Sequence, residues 1–104
     1  MESARSGCPI NAAVEAFGRI DVLVDGGIRR GTDVVKALAL GARACLVGRA
    51  WAWSVAAGGR QGVVDVLRTM RGELKVALSL TGAGDVHALD PSALLDGDGR
   101  PLGV

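Results

Sequence analysis

The sequence predicts an α/β fold in which helices connect parallel strands. Two short apolar runs of strand length, Ile20–Val24 and Ala44–Val47, flank a segment with helical patterning. This strand–helix–strand unit occupies about thirty residues, which is the length of a right-handed crossover between parallel strands. Because a parallel pair with apolar residues on both faces needs further strands and helices around it, we expect the chain to be the C-terminal piece of a larger α/β body.

Helices in the first half of the chain are predicted from the signals at their ends. The first helix, Pro9–Phe17, has a proline near its start, where the missing N–H group is tolerated. The second helix follows the first strand, with Thr32 as its predicted N-cap and Gly41 as the residue just past its end. Apolar residues between these two ends give this helix a face that packs on the sheet.

Helices in the second half are predicted from apolar periodicity and glycine breaks. A short helix, Ala50–Ala57, ends at two glycines, and the longest helix, Gln61–Leu80, has apolar residues at three- and four-residue spacing. A last short helix, Pro91–Leu95, has Asp90 as its predicted cap.

Composition and charge exclude several classes of protein. With 49% hydrophobic residues and charges of both signs, residues 1–95 are expected to fold as one partial domain, followed by a flexible tail over residues 96–104. A formal net charge of +1 argues against nucleic-acid binding through bulk positive charge. No apolar run is long enough to span a membrane and no secretory leader is visible, so a cytoplasmic location is predicted. Cys8 and Cys45 lack metal-site spacing, and Cys45 is expected to be buried and inert.

Glycine and arginine follow both predicted strands. The segment Asp25–Gly31 comes directly after the first strand and Gly48-Arg49 directly after the second, each just before a helix. Glycines let a ligand approach the backbone, helix N-termini attract anions, and arginines donate paired hydrogen bonds to phosphate. Because the carboxyl ends of parallel strands meet at one edge, the two segments should converge, as in the phosphate site of the last two βα units of a (β/α)8 barrel.

Simpler interpretations of these residues stay open. Gly26, Gly27 and Gly48 could serve only to turn the chain after a strand. Arg30 is expected to be solvated, as arginines at strand ends commonly are. A dinucleotide site is disfavoured because Asp25–Gly31 does not contain the pattern G-x-G-x-x-G.

One stretch, Asp21–Leu80, resembles the C-terminal end of the FMN-dependent α-hydroxy-acid dehydrogenase and oxidase family, which includes L-lactate dehydrogenase and glycolate oxidase. The resemblance is carried by the elements DGGIRRGTDVVKALALGA and VGR. It implies the last two βα units of a flavin-binding TIM (β/α)8 barrel with FMN as cofactor, and the pre-mycofactocin synthases are a narrower alternative within it. It also implies that the FMN phosphate is held by Asp25, Gly26, Gly27, Ile28, Arg29, Gly48 and Arg49.

The family's catalytic base, a histidine in a His-Gly-x-Arg element, has no counterpart in these 104 residues. The single histidine, His87, follows the long helix and is expected to be structural or exposed. Asp25 is expected to orient its loop rather than act as a catalytic carboxylate, and Trp51 and Trp53 are expected to be packing residues. No catalytic residue is therefore assigned, and we expect residues 1–104 alone to be inactive as a dehydrogenase.

Two functions follow from the sequence. In the first, the chain is the C-terminal part of an FMN-dependent oxidoreductase that oxidises L-2-hydroxy acids such as lactate to 2-oxo acids. In the second, it is a non-catalytic remnant or half-barrel module that needs a partner. The expected ligands are FMN and, in a complete barrel, a small 2-hydroxy acid, and open strand edges also predict self-association.

Overall fold

The structure, a computed structural model, describes residues 12, 13, 15, 18 and 20–102. The helix predicted over Pro9–Phe17 lies largely outside these residues. From residue 20 onward, two short strands and two α-helices alternate, and two 3-10 helices come after them. In chain order they are β1 (Leu23–Asp25), α1 (Gly31–Ala39), β2 (Ala44–Leu46), α2 (Arg49–Thr81) and the 3-10 helices Val86–Ala88 and Pro91–Ala93.

β1 and β2 pair in parallel, and α1 connects them. Leu23 lies opposite Ala44, and Asp25 lies opposite Leu46. This pairing confirms the α/β class and the predicted strand–helix–strand unit. Both strands are shorter than predicted because the ladder joins only 3 residues of each, so Ile20 falls outside the sheet.

The two-stranded sheet is covered on one face. Val24 of β1, Ala37 of α1 and Met70 of α2 belong to one buried cluster on that face. On the opposite face Leu23 is 57% exposed and Leu46 is 47% exposed. The sequence predicts strands that are buried on both faces, but the helices described here form a layer on one side only. The second face of the sheet is therefore open within the described part of the chain.

α1 begins earlier than the sequence predicts. Thr32 is not its N-cap: Arg30 holds that position, and Gly31 is the first helical residue. The reason is Asp33, whose carboxylate oxygen Oδ2 accepts hydrogen bonds from the backbone N–H groups of Arg29 and Arg30, both at 3.1 Å. These bonds satisfy donors ahead of the helix that would otherwise need another partner.

Three other helix ends lie where the sequence predicts them. Gly41 (φ 106°) follows α1, and Gly82 (φ 75°) closes α2 directly after the predicted long helix. Positive φ is strained for residues with a Cβ atom, so glycine suits both positions. Asp90 caps the 3-10 helix Pro91–Ala93 by accepting a hydrogen bond from the Ser92 N–H group at 2.8 Å.

α2 bends at Gly59, which has non-helical torsion angles (φ 59°, ψ −142°). This bend confirms the predicted separation of a short helix from a long one. We call residues 49–58 the short arm of α2 and residues 60–81 the long arm. The two arms pack closely, because a Cβ atom added at Gly62 would collide with the carbonyl oxygen of Ser54.

The C-terminal residues pack against the end of α1. Leu94 is buried and Leu102 partly buried, and both belong to the cluster around Leu40. Leu95 and Pro101 form an antiparallel bridge that turns the chain back on itself. Residues 96–102, which composition predicts as a flexible tail, thus have backbone and apolar contacts with the rest of the chain.

Large apolar side chains are exposed along α2. Trp51 is 50% exposed and Trp53 is 73% exposed, so the expectation that both are packing residues is wrong for this part of the fold. Leu80, at the other end of α2, is 83% exposed. Self-association, which such surfaces favour, stays a prediction. Across the described residues, the helices lack the combination of length and apolar character needed to cross a bilayer.

Candidate functional site

The candidate site is a cleft of about 290 Å³ at the carboxyl ends of β1 and β2. Every residue that the sequence assigns to phosphate binding lines this cleft, with Leu46 and Ala50 beside them. The assigned residues are Asp25, Gly26, Gly27, Ile28, Arg29, Gly48 and Arg49. The pairing of Asp25 with Leu46 explains the convergence, because it brings the ends of both strands to the same level.

Glycine is required on the β1 side of the cleft. Gly26 has φ 103° and Gly27 has φ 76°, a backbone region that side chains with a Cβ atom rarely adopt. A Cβ atom added at Gly26, Gly27 or Gly48 would have no atom within 4 Å, so all three residues border open space. Ile28, by contrast, is 4% exposed and anchors the loop in the buried cluster under the sheet.

The β2 side of the cleft is the N-terminus of α2. Gly48 is the N-cap and provides no side-chain cap, while its carbonyl oxygen accepts from the Ala52 N–H group at 3.1 Å. The first N–H groups of a helix lack partners inside the helix and carry partial positive charge. Arg49, the first helical residue, adds a guanidinium at the same point.

The two consecutive arginines after β1 have different surroundings. Arg29 lines the cleft. Arg30 instead forms an ion pair with Glu73 of the long arm, with Nε at 2.7 Å and Nη2 at 2.6 Å from Oε2. Oε1 of the same carboxylate accepts from the Gly31 N–H group at 3.2 Å. Arg30 is therefore paired rather than only solvated, although its side chain is 70% exposed.

Lowering the pH is expected to remove the stability that Glu73 contributes. Hydrogen bonds from the Arg30 side chain and the Gly31 N–H group hold the pKa of Glu73 below its ordinary value of 4.5. A carboxylate with a lowered pKa stabilises the fold above its ordinary pKa, and this stability is lost as the pH falls through the lowered value. Urea unfolding of the wild type and of Glu73→Gln, near pH 7 and near about pH 3, measures the effect.

The difference in free energy of unfolding between the wild type and Glu73→Gln should shrink from the higher to the lower pH. Glutamine matches glutamate in size, so the comparison isolates the charge. A difference that stays constant over this range would show that the Arg30–Glu73 pair does not contribute to stability.

Other titratable residues lie in or near the sheet. Asp25 is the last residue of β1 and is exposed at the cleft. His87 lies instead beside a larger hollow of about 400 Å³, together with Val22 and Arg43, which flank the amino ends of the strands. Ligand sites in open parallel sheets lie at the carboxyl ends, so we assign function to the smaller cleft. Cys45 is half-buried rather than buried as the sequence predicts, and this partial burial raises the pKa of its thiol, which disfavours the reactive thiolate.

The sequence predicts which residues form the cleft, but not the hydrogen bonds and the ion pair that hold their loop in place. The sequence indicates only that Asp33 is an acidic residue in the first turn of α1, and it indicates no role for Glu73. Glu73 contacts Arg30 across 43 residues of chain, so no local pattern reports their pairing. Asp33 lies only 3 residues from Arg30 and carries a weak local signal, an acid in the first helical turn.

These features define the chain as part of an α/β protein with a basic cleft at the carboxyl edge of its sheet. The sequence profile of the FMN-dependent dehydrogenase family matches residues 4–96. The chain therefore belongs to the FMN-dependent dehydrogenase family, and FMN is the cofactor of that family. This finding confirms the resemblance seen in the sequence.

The curated relatives that match this chain are much longer than it is. It is 52% identical over 88 residues to pre-mycofactocin synthase of Mycobacterium tuberculosis (strain ATCC 25618 / H37Rv), covering 83% of this chain and 22% of that protein. It is 49% identical over 77 residues to L-lactate oxidase of Nostoc sp., covering 74% of this chain and 21% of that protein. The chain thus spans about a fifth of the length of these relatives.

Solved structures show the same local fold. A soluble mutant of the membrane-associated (S)-mandelate dehydrogenase from Pseudomonas putida aligns with a TM-score of 0.80 and 41% identity, covering 84% of this chain and 25% of that one. A mandelate oxidase mutant that carries a monooxide FMN adduct aligns with a TM-score of 0.74 and 46% identity, covering 77% of this chain. The described α/β unit is therefore a piece of the fold that these proteins share.

The cleft fits the phosphate end of FMN. Its volume of about 290 Å³ lies near the lower limit for small-molecule sites, which suits a phosphate group with its attached chain rather than the whole cofactor. Two guanidiniums, from Arg29 and Arg49, outnumber the one carboxylate of Asp25 among the lining residues. The open space beside Gly27 and Gly48 leaves room for phosphate oxygens close to the backbone.

Proposed function

We propose that this chain provides the FMN-phosphate site of an FMN-dependent oxidoreductase that oxidises L-2-hydroxy acids, such as lactate, to 2-oxo acids. In this proposal residues 1–95 form the last two βα units of a TIM (β/α)8 barrel, and residues 96–104 are its tail. The observation that carries the proposal is the cleft, where the residues after both strands face one hollow. FMN supplies the redox chemistry when it is bound, and these residues bind and orient it.

Each part of the cleft has a separate role in binding the phosphate. Arg29 and Arg49 neutralise its charge from two sides through charge-assisted hydrogen bonds. The N-terminus of α2 adds the partial positive charge of the helix, and Gly48 leaves that N-terminus without a side-chain cap. Gly26 and Gly27 keep the β1 side free of side chains, so the phosphate can approach the backbone.

The substrate class is supported by the relatives rather than by a residue of this chain. L-lactate oxidase and 2-hydroxyacid oxidase are names of relatives that match at 49% and 46% identity. No substrate-binding or catalytic residue is assigned within residues 1–104. In a complete barrel the substrate would contact residues that lie outside the part of the chain forming the cleft.

A second candidate function is a half-barrel module that needs a partner. The open face of the sheet favours it, because Leu23 and Leu46 are both exposed on that face, one on each strand. Exposed apolar surface of this kind is commonly covered by another part of a protein assembly. The two candidates differ in whether the chain itself recognises the FMN phosphate.

Titration of the chain with FMN and with riboflavin, followed by flavin fluorescence, tests the proposed function. Riboflavin lacks the phosphate, so FMN should bind more tightly by about 10-fold or more, the value of one charge-assisted contact. Inorganic phosphate should compete with FMN and not with riboflavin. Equal affinities for the two flavins would contradict the phosphate site and would favour the module.

A further inference from the structure

The loop between β1 and α1 is held from outside the cleft by two carboxylates. Asp33 accepts hydrogen bonds from the backbone N–H groups of Arg29 and Arg30, both at 3.1 Å. Glu73 pairs with the Arg30 side chain and accepts from the Gly31 N–H group. Neither carboxylate lines the cleft. Both act on the end of the loop where the cleft-lining residues meet α1.

The hydrogen bonds to Asp33 determine which hydrogen-bond donors of the loop are available to bind an anion. The N–H groups of Arg29 and Arg30 point to the Asp33 carboxylate, so they are not directed at the cleft. Arg30 is drawn to the long arm of α2 by Glu73, while the neighbouring Arg29 lines the cleft. Of the two consecutive arginines, only Arg29 thus lines the cleft.

We propose that Asp33 is a positioning residue for phosphate binding, because it fixes the backbone of Arg29, which lines the cleft. This inference rests on the proposed function of the cleft. Asp33 does not contact the ligand, and it acts through the two N–H groups that it binds. Asp33 is partly buried, and the hydrogen bonds that its carboxylate accepts among the described residues come from this loop.

Three roles for Asp33 predict three different results for Asp33→Ala. If Asp33 acted only through its negative charge, its removal would strengthen binding of an anion near Arg29 and Arg49. If it stabilised only the start of α1, its removal would lower the melting temperature and leave the preference for FMN over riboflavin unchanged. If it positions the loop, its removal must reduce that preference despite the more positive charge.

The experiment measures the ratio of the riboflavin and FMN dissociation constants for the full chain and its variants. Asp33→Ala should reduce the ratio by about 10-fold. This is the lower end of the loss in affinity that is typical when a residue that orients a binding group, rather than the binding group itself, is removed, as is known for metal sites. Asp33→Asn keeps an oxygen that can accept from both N–H groups, so it should recover most of the ratio. This recovery separates positioning from charge, because asparagine and alanine are both neutral.

Asp90→Ala is the matched control. Asp90 also accepts a backbone hydrogen bond, from Ser92 at 2.8 Å, but its 3-10 helix lies beside the end of α1 that is remote from the cleft. The variant should lose stability and keep the wild-type ratio. A wild-type ratio in Asp33→Ala, or a raised one, would overturn the inference and leave the phosphate site intact. A wild-type chain with no preference for FMN would overturn the phosphate site itself.

Discussion

Replacing Arg49 or Arg29 with alanine is expected to weaken FMN binding by about 10- to 150-fold, which corresponds to the loss of about 1.5–3 kcal/mol from one charge-assisted contact. Both residues line the cleft, and they approach it from the ends of different strands. Each substitution should therefore remove a different contact to the same phosphate group. The most direct measurement grafts residues 20–80 into a full-length relative and follows flavin fluorescence during titration with FMN.

Two other arginines provide controls in the same graft. Arg68 is exposed on the long arm of α2, so Arg68→Ala removes the same charge far from the cleft and should leave affinity unchanged. Arg30 is adjacent to Arg29 but is paired with Glu73, so Arg30→Ala should affect stability more than FMN affinity. If both Arg29 and Arg49 can be removed with a change smaller than about twofold, the cleft does not bind the phosphate and its glycines serve only to turn the chain.

Replacing Gly31 with alanine is expected to destabilise the fold strongly, although alanine normally favours a helix. A Cβ atom at Gly31 would lie 2.6 Å from the backbone nitrogen of Leu74 and would also collide with the carbonyl oxygen of Met70. These atoms belong to the backbone of α2, so they cannot move aside as a flexible side chain could. We expect a loss of about 1–3 kcal/mol, the usual cost of forcing extra atoms into a packed interface.

Gly72→Ala is the matched control for this prediction, because Gly72 also lies in a helix and a Cβ atom there would have no atom within 4 Å. It should raise stability by about 0.5–1 kcal/mol through helix propensity alone. Thermal unfolding followed by circular dichroism should therefore shift in opposite directions for the two variants, by about 4–8 °C for each kcal/mol. A Gly31→Ala variant as stable as the wild type would show that α1 and α2 can separate without cost.

The order of elements and the cleft were predictable because their signals are local in sequence. Strand, helix and strand succeed one another within a short stretch, and the parallel arrangement forces the segments after both strands to one edge. The left-handed conformations at Gly41 and Gly59 mark turns that only glycine adopts easily. Arg29 and Arg49 are predictable as cleft residues for the same reason, since each lies a few residues after the end of a strand, at or just before the start of the following helix.

Features that depend on distant contacts were not predictable in the same way. The pairing of Arg30 with Glu73 and the close approach of α2 to Gly31 join residues that are far apart in the chain. The exposure of Trp53 also depends on which elements surround α2 rather than on the apolar character of its side chain. Thr32 has the preferred chemistry of an N-cap, but Asp33 reaches the N–H groups ahead of the helix and moves the helix start.

The strand pairing that forms the cleft joins residues close in sequence, whereas the Arg30–Glu73 bond joins distant ones, and this difference affects how the site forms during folding. Pairing of Asp25 with Leu46 brings the two sides of the cleft together. The stretch of chain that this pairing closes into a loop is short, so the entropic cost is small and the pairing can form early. The bond between Arg30 and Glu73 spans 43 residues and requires the long arm of α2 to dock first. We expect the cleft to form first, and docking of the long arm to fix its geometry in a later step.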